Sequence, residues 1–407
     1  MESIFWHIHE TELWTPYVPG TLSKFPPALI VDNLTIQNSN EKTTLSVQLC
    51  GNFLVHWNSG SFPEKFINLE LRVFEPFTED CGNDKYYGFY IDSFIFYTKN
   101  SKMLDLWVKV LKKICILTHI EDDFVFIKTI GKGSTSIVYL AESVENQFQV
   151  SVKCIKKSKI KNSVNLTNLA NEIKVLQKIK HENICKLYYA YEDLDSVFLV
   201  MEYLPCGDLL SLLSKRNKFS EEDCARFMGK LLMTLDYLHS QNIVHRDLKL
   251  ENILITNPDN NNFKITDFGL AYTNNCSDNK KCGSPGYVAP EMLRDEEYNY
   301  KIDIFSAGVI FYILIYGKHP FQARNLDKIL QKNVICKYKT STSVSEIVSA
   351  IINLMMHPIP SIRPSASQLL EIDWFSQHLI YPNSLNVTTS TGSLTPRISY
   401  NTFKTII

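Results

Sequence analysis

Eight residues, His245-Arg246-Asp247-Leu248-Lys249-Leu250-Glu251-Asn252, constrain this chain more than any other stretch. Asp267-Phe268-Gly269 begins fifteen residues after Asn252, and Ala289-Pro290-Glu291 closes the same region. An acid, a lysine, an amide and a second acid in this order suit phosphoryl transfer. Asp247 would accept or orient the proton of an acceptor hydroxyl. Lys249 would offset charge on the transferring phosphate, and Asn252 and Asp267 would hold Mg²⁺. The chemistry needs such a set because the transferring group spreads negative charge over its oxygens, while the protein supplies little covalent help. One three-residue string alone would be weak. The eight-residue string with both others in order leaves little room for a buried polar turn without chemistry.

These strings, H-R-D-L-x-x-x-N, D-F-G and A-P-E, resemble those of eukaryotic protein kinases, and the resemblance runs from about Phe124 to Phe375. It implies an α+β, bilobal protein kinase fold with a β-rich small lobe and an α-helical large lobe, and it implies ATP and Mg²⁺ as cofactors. Ile130 to Val138 reads G-x-G-x-x-S-x-V, with Gly131 and Gly133 present and Ser136 in the third position. Glycines let a hairpin backbone come close to phosphates, where amide N–H groups face the anion. Val150-Ser151-Val152-Lys153 matches V-A-I-K with Ser151 for Ala. Lys153 would grip the α- and β-phosphates. Glu172 falls on a following amphipathic helix with Ile173, Leu176 and Ile179 on its apolar face, and would pair with Lys153.

By the same resemblance Phe198 to Leu204 is a hinge, where Glu202 and Leu204 offer backbone groups to adenine and Met201 gates the pocket behind. Asp208 would bond the ribose or a substrate arginine; its other reading is the N-cap of the next helix. The implied catalytic set is Asp247, Lys249, Asn252, Lys153, Glu172 and Asp267. The implied nucleotide set is Ile130, Gly131, Lys132, Gly133, Ser134, Val138, Ser151, Lys153, Glu202, Leu204, Asp208, Glu251, Asn252 and Asp267. Ser220, followed by Glu221, Glu222 and Asp223, starts a helix to about Ser240. Phe263 to Thr266 is a short strand delivering Asp267. Cys282 to Glu291 resembles the calmodulin-kinase-like group. Glu291 should pair with Arg363, and Asp303 should bond the catalytic-loop backbone. Phe305 stands where this family usually has Trp, a change of packing more than chemistry.

Two regulatory expectations follow from the resemblance. Asp208 and Glu251 stand where similar kinases receive an arginine three residues before the acceptor, and Leu270 resembles kinases preferring serine. Similar kinases with an arginine at the Arg246 position often hold an activation-loop phosphate against it, yet here Lys280 and Lys281 occupy the usual phosphosite. Lysine cannot be phosphorylated there, and its charge would repel Arg246. Ser284 should instead order the segment by bonding Asp247 or Lys249. Activity without loop phosphorylation is expected, or restraint by the N-terminal module; Ser277 is the alternative phosphosite.

Residues 1–120 read as a separate module. Phe53 to Trp57, Leu69 to Phe74, Tyr87 to Ile91 and Phe94 to Tyr97 alternate as antiparallel strands. The period then changes, with Leu104, Trp107, Val108, Leu111 and Ile114 at helical spacing. Strands closed by one helix carrying a Trp resemble a pleckstrin-homology (PH) domain, which implies a small β-barrel with a C-terminal helix. The alternative is an unrelated β-sandwich. Its first hairpin region, Ile8 to Tyr17, holds Glu10 and Glu12 and no Lys or Arg, and residues 1–120 hold about 10 Lys/Arg against about 13 Asp/Glu. Anionic lipid favours the opposite balance. A protein or intramolecular kinase contact is therefore expected over inositide binding. Thr118 to Asp123 forms a short linker allowing little independent travel. The domain reading is 1–120, then a catalytic domain at 124–376, then a Ser/Thr-rich flexible tail at 377–407.

The 407-residue chain has a net charge of −1, which gives no bulk attraction to nucleic acid. Ten scattered cysteines without a C-x-x-C pair read as reduced thiols of a cytosolic or nuclear protein, and a cytoplasmic location is expected. Met1 to His7 shows no secretory signal. Ile302 to Tyr316, at about 15 residues, is short of the roughly 20 needed to span a bilayer and reads as a buried core helix. The expected activity is MgATP-dependent phosphorylation of protein Ser/Thr hydroxyls. The alternatives are a pseudokinase scaffold without turnover and a lipid-recruited adaptor.

Overall fold

The computed structural model describes residues 3–6, 13–18, 25–37, 42–57, 63–82, 84–133, 135–160, 162–259, 261–273 and 281–377. The expected tail beyond Gln377, Ser134 and most of Ile8 to Leu13 lie outside the described residues. The chain divides into two compact units, one of residues 1–178 with 186–203 and one of 179–185 with 204–407.

In the first unit the strands are β1 (Thr15–Pro16), β2 (Ala28–Gln37), β3 (Lys42–Cys50), β4 (Phe53–Trp57), β5 (Pro63–Asn68), β6 (Val73–Cys81), β7 (Asp84–Ile91) and β8 (Phe94–Thr98). Helix α1 (Ser101–Leu111), β9 (Ile116–Leu117) and the single turn α2 (Ile120–Asp123) follow. Then come β10 (Phe124–Lys132), β11 (Ser136–Ser143), β12 (Gln149–Lys156), α3 (Ser163–Lys178), β13 (Leu187–Glu192) and β14 (Ser196–Glu202). All fourteen strands form one sheet in the order β1-β5-β4-β3-β2-β8-β7-β6-β9-β13-β14-β12-β11-β10. Alternation drives the pairing: β2 buries Ile30, Asp32, Leu34 and Ile36 and exposes the residues between them. Asn100 caps α1, accepting from Met103 N, and α1 buries Leu104, Trp107 and Leu111. Trp107 Nε1 donates to the buried Asp32 Oδ2 at 3.1 Å, which satisfies both polar groups.

Two sequence expectations change here. Among the described residues no closed barrel forms, because β6 gives its free edge to β9 and not to β5. β9 then pairs parallel to β13 on its other side, so the sheet stays open and runs on into β13, β14 and β12. Leu69 to Phe74 is not one strand. Leu69 and Leu71 are buried two residues apart, which imitates alternation, but Leu71 sits at φ 62° in a turn between β5 and β6. Arg72 buttresses the turn, donating Nε to Asn68 O at 2.9 Å and Nη1 to Asp92 at 2.7 Å. Residues 118–123, the short linker, are packed on both sides. Asp123 accepts from Tyr191 Oη at 2.5 Å and from Lys112 Nζ at 3.3 Å, and one hydrophobic core runs from Leu34 and Trp107 through Ile120 and Phe124 to Val152 and Val200.

The second unit is mainly helical, with α4 (Leu209–Arg216), α5 (Glu221–Ser240), α6 (Pro290–Leu293), α7 (Lys301–Tyr316), α8 (Leu326–Ile335), α9 (Glu346–Met355), α10 (Ala366–Leu370) and α11 (Asp373–Ser376). Two small hairpin-like sheets, β15 (Ile243–Val244) with β18 (Tyr272–Thr273) and β16 (Ile253–Asn257) with β17 (Asn262–Ile265), carry the motif strings. Ser220 caps α5 by accepting from Asp223 N at 3.1 Å, and Glu221, Glu222 and Asp223 suit the positive end of the helix dipole. α7 is apolar all round and buried from Ile302 to Ile315, the mark of a central core helix. Gly308 permits its close approach to α9, since a Cβ there would lie 2.8 Å from Met355 Cβ. Among the described residues no helix is long and apolar enough to cross a membrane.

Candidate active site

In the second unit Asp303 organises the catalytic loop. It sits fully buried in the first turn of α7, and its carboxylate accepts from His245 N at 2.9 Å, Arg246 N at 3.0 Å and His239 Nε2 at 3.0 Å. Burial pushes this carboxyl up, but the bonds and charge of His239, and then His245, outweigh it, so the net direction is downward. The bonds hold Arg246 at φ 66°, a left-handed conformation that a non-glycine residue adopts only when its surroundings insist. Asp247 follows and is nearly buried.

Asp247 is the centre of a closed polar network. Its Oδ2 accepts from Lys249 Nζ at 2.7 Å and from Asn252 Nδ2 at 3.1 Å, and its Oδ1 accepts from Ser284 Oγ at 2.8 Å. Lys249 Nζ also lies 2.7 Å from Ser284 Oγ, so the serine reaches both partners that the sequence offered it. Asn252 Nδ2 donates in addition to Asp247 O at 2.8 Å. That fixes the amide with its nitrogen toward Asp247 and leaves Oδ1 as its outward-capable oxygen. Asn252 O accepts from Thr266 N at 2.9 Å, which joins this loop to the strand delivering Asp267. Asp267 has φ 63°, and Phe268 is fully buried against the His245 ring at a centroid distance of 4.8 Å. An amide oxygen and a carboxylate are the hard donors Mg²⁺ prefers, so Asn252 and Asp267 fit that ion by chemistry.

Arg246 is held by protein groups on its own unit. Its Nε donates to Leu270 O at 2.5 Å, Nη1 to Tyr298 Oη at 3.1 Å, and its guanidinium stacks on Tyr272 at 4.6 Å. Lys281 turns its charge to Asp295 at 2.6 Å. Ser277 and Lys280 lie outside the described residues. Glu291 and Arg363 form a bidentate pair at 2.6 and 2.7 Å with both side chains at most 1% exposed. Asp208 caps α4, accepting from Ser211 N at 2.7 Å, so its alternative role is realised. Glu251 is exposed one position before Asn252, and Leu204 is half-buried.

In the first unit the register aligns the expected phosphate-facing residues. Gly131 pairs with Val138, and Val138 with Lys153, across β10, β11 and β12. Gly133 N donates to Ser136 O at 2.8 Å, which tightens the hairpin, while Ile130 and Lys132 are exposed. Lys153 Nζ lies 2.7 Å from Glu172 Oε1, and Glu172 is buried on α3. Ser151 Oγ donates to Glu202 O at 3.0 Å and approaches Met201 O at 3.4 Å, which directs its hydroxyl to the neighbouring strand. Sequence reasoning passed over Gln177 and Glu192. A single amide or acid outside a motif carries no pattern, and Ile114 and Ser3, which they meet, lie more than sixty residues away in sequence.

Residues 124–375 match the sequence model of the protein kinase domain. Over 258 residues the chain is 42% identical to "Probable serine/threonine-protein kinase 2" of Plasmodium falciparum, covering 62% of this chain and 50% of that protein. It is 32% identical over 260 residues to "Serine/threonine-protein kinase PLK4" of Danio rerio, covering 63% of this chain and 27% of that protein. It is 33% identical over 278 residues to "Calcium/calmodulin-dependent protein kinase type 1" of Caenorhabditis briggsae, covering 67% of this chain and 78% of that protein. The chain thus spans half or less of the first two relatives' lengths. None of these matches reports a PH domain in residues 1–120.

Proposed function

Because this chain belongs to the protein kinase domain family, we propose that it transfers the γ-phosphoryl group of ATP to serine or threonine hydroxyls of protein substrates. The observation that carries this reading is the network in which Lys249, Asn252 and Ser284 all bond one carboxylate, Asp247. Asp247 orients the acceptor hydroxyl and takes its proton, and Lys249 beside it offsets the charge spreading over the transferring group. Lys153, held by Glu172, grips the α- and β-phosphates under the Gly131 to Gly133 hairpin. Asn252 and Asp267 would hold Mg²⁺, which when bound neutralises phosphate charge. The test is ³²P transfer from ATP to a peptide by the full chain, with Asp267→Ala as control. Nucleotide binding without transfer would replace this reading with a non-catalytic scaffold.

The finer reading is a basophilic serine kinase of the cytoplasm. Asp208 keeps a second carboxylate oxygen beside its capping bond, and the exposed Glu251 supplies another carboxylate for an arginine three residues before the acceptor. A peptide array preferring acidic residues, or proline after the acceptor, would reject it. The PH-like reading of residues 1–120 draws support from seven antiparallel strands, β2 to β8, followed by a helix with a buried Trp107. Its acidic balance favours protein contact over lipid, so weak, non-selective binding to inositide vesicles is expected.

A further inference from the structure

We infer that the N-terminal module is a built-in brace for α3, the helix that carries Glu172, and that Gln177 is the positioning residue through which it acts. The inference rests on reading Lys153 and Glu172 as the phosphate-gripping pair. α3 buries Leu169, Ala170, Ile173, Val175 and Leu176, and apolar packing of that kind is non-directional. A helix held only so can roll about its axis at small cost. Directional bonds remove that freedom, and two of them come from residues before 120.

Gln177 lies five residues after Glu172, about 7.5 Å along the axis. Its Nε2 donates to Ile114 O at 2.9 Å. Ile114 lies between α1 and β9, and this carbonyl cannot drift, because Ile114 N and Cys115 N donate back to Leu111 O and Ile116 N donates to Arg72 O. One turn earlier Lys174 faces Glu70 Oε2 at 3.7 Å, and Glu70 is itself held by Asn52 Nδ2 at 2.9 Å. That ion pair is partly exposed and adds little alone. A second fastening lies on the strand beside α3. At the end of β13 the buried Glu192 accepts from Ser3 Oγ at 2.6 Å and Ile4 N at 2.8 Å, and meets Lys157 Nζ at 2.7 Å, with Phe5 fully buried next to it. The module therefore grips the kinase sheet through β9 and Glu192 and the helix through Gln177. A roll of α3 that parts Glu172 from Lys153 must also part Gln177 from Ile114, so the two bonds share one rigid element. The brace favours the paired state, and its role is activating.

The experiment uses the full chain carrying Gln177→Glu, which keeps the size and shape but sets a carboxylate against Ile114 O, beside Gln177→Ala and the donor-retaining Gln177→Lys. Deuterium exchange of peptides covering 163–178 and the affinity for a fluorescent ATP analogue are read without turnover, and KM for ATP and for peptide are read with it. Gln177→Glu and Gln177→Ala should speed exchange in α3 and weaken ATP by about five- to tenfold, the weight of one lost hydrogen bond. KM for peptide should stay near wild type, and Gln177→Lys should restore the ATP affinity. Unchanged exchange and ATP affinity in Gln177→Glu and Gln177→Ala would overturn the brace, as would a rise in activity, which would make the module a restraint. A wild-type chain without transfer defeats the proposed activity and not the brace, because exchange and nucleotide affinity still decide the latter.

Discussion

Asp247→Asn tests the centre of the site, and its geometry sets the expected size of the effect. The carboxylate takes Lys249 and Asn252 on Oδ2 and Ser284 on Oδ1. An asparagine can reproduce this arrangement in one orientation only. Its oxygen must face Lys249 and Asn252, which are both donors, and its NH₂ must face Ser284, whose hydroxyl can accept. All three contacts then survive, now to a neutral amide, so the fold should lose no more than about 1–2 kcal/mol, the ion-pair part of the Lys249 bond. What cannot survive is the proton acceptor. A positioned general base is worth about 10²–10⁴-fold, or about 3–5 kcal/mol of barrier at 1.36 kcal/mol per tenfold. The assay is single-turnover transfer from ATP to a serine peptide, alongside fluorescent nucleotide binding and thermal unfolding. We expect kcat down by about 10²–10⁴, nucleotide affinity within about twofold, and a small shift of Tm. A variant that turns over within threefold of wild type would refute the role of Asp247. A variant that loses nucleotide affinity in parallel would refute the separation of acceptor from nucleotide chemistry.

Three further outcomes are expected. Arg363→Met strands the buried Glu291 carboxylate and should cost about 3–5 kcal/mol in urea unfolding, whereas Glu291→Leu with Arg363→Met should cost less than either single change, since an unpaired buried charge is the expensive state; a larger loss in the double variant would contradict this. His319, with its ring against Gly286, is held by burial at a pKa of about 4; it stays neutral in the fold but charges in the unfolded chain near its ordinary 6.5, so stability present above pH 6.5 should fall between pH 6.5 and 4, and His319→Asn should flatten that slope in a Tm-versus-pH series. Phosphatase-treated protein from bacteria should transfer phosphate without a lag, because Arg246 already bonds Leu270 O and Tyr298 and stacks on Tyr272; activity that appears only after Ser277 is phosphorylated, and never in Ser277→Ala, would defeat this.

The kinase portion was legible in the residues because its chemistry is local. His245 to Asn252 is one loop, and an acid, a lysine and an amide spaced this closely can meet through backbone geometry alone. The buried helix at Ile302 to Tyr316 was legible for a similar reason, since an apolar run of that length has few other homes. The pairing of Glu291 with Arg363 was legible through the family strings that contain them. Leu69 to Phe74 misled because burial at every second residue is the signature of a strand and also of this buttressed turn. Strand periodicity in residues 1–120 indicated a sheet, yet periodicity is blind to which edges meet. Only the tertiary structure decided that β6 pairs with the two residues of β9 instead of closing on β5, because edge pairing is settled by backbone groups that every sequence shares. The same holds for Gln177 reaching Ile114 O and for Glu192 receiving Ser3: each is a single polar side chain answering a distant partner, a match made by packing and invisible to any local pattern.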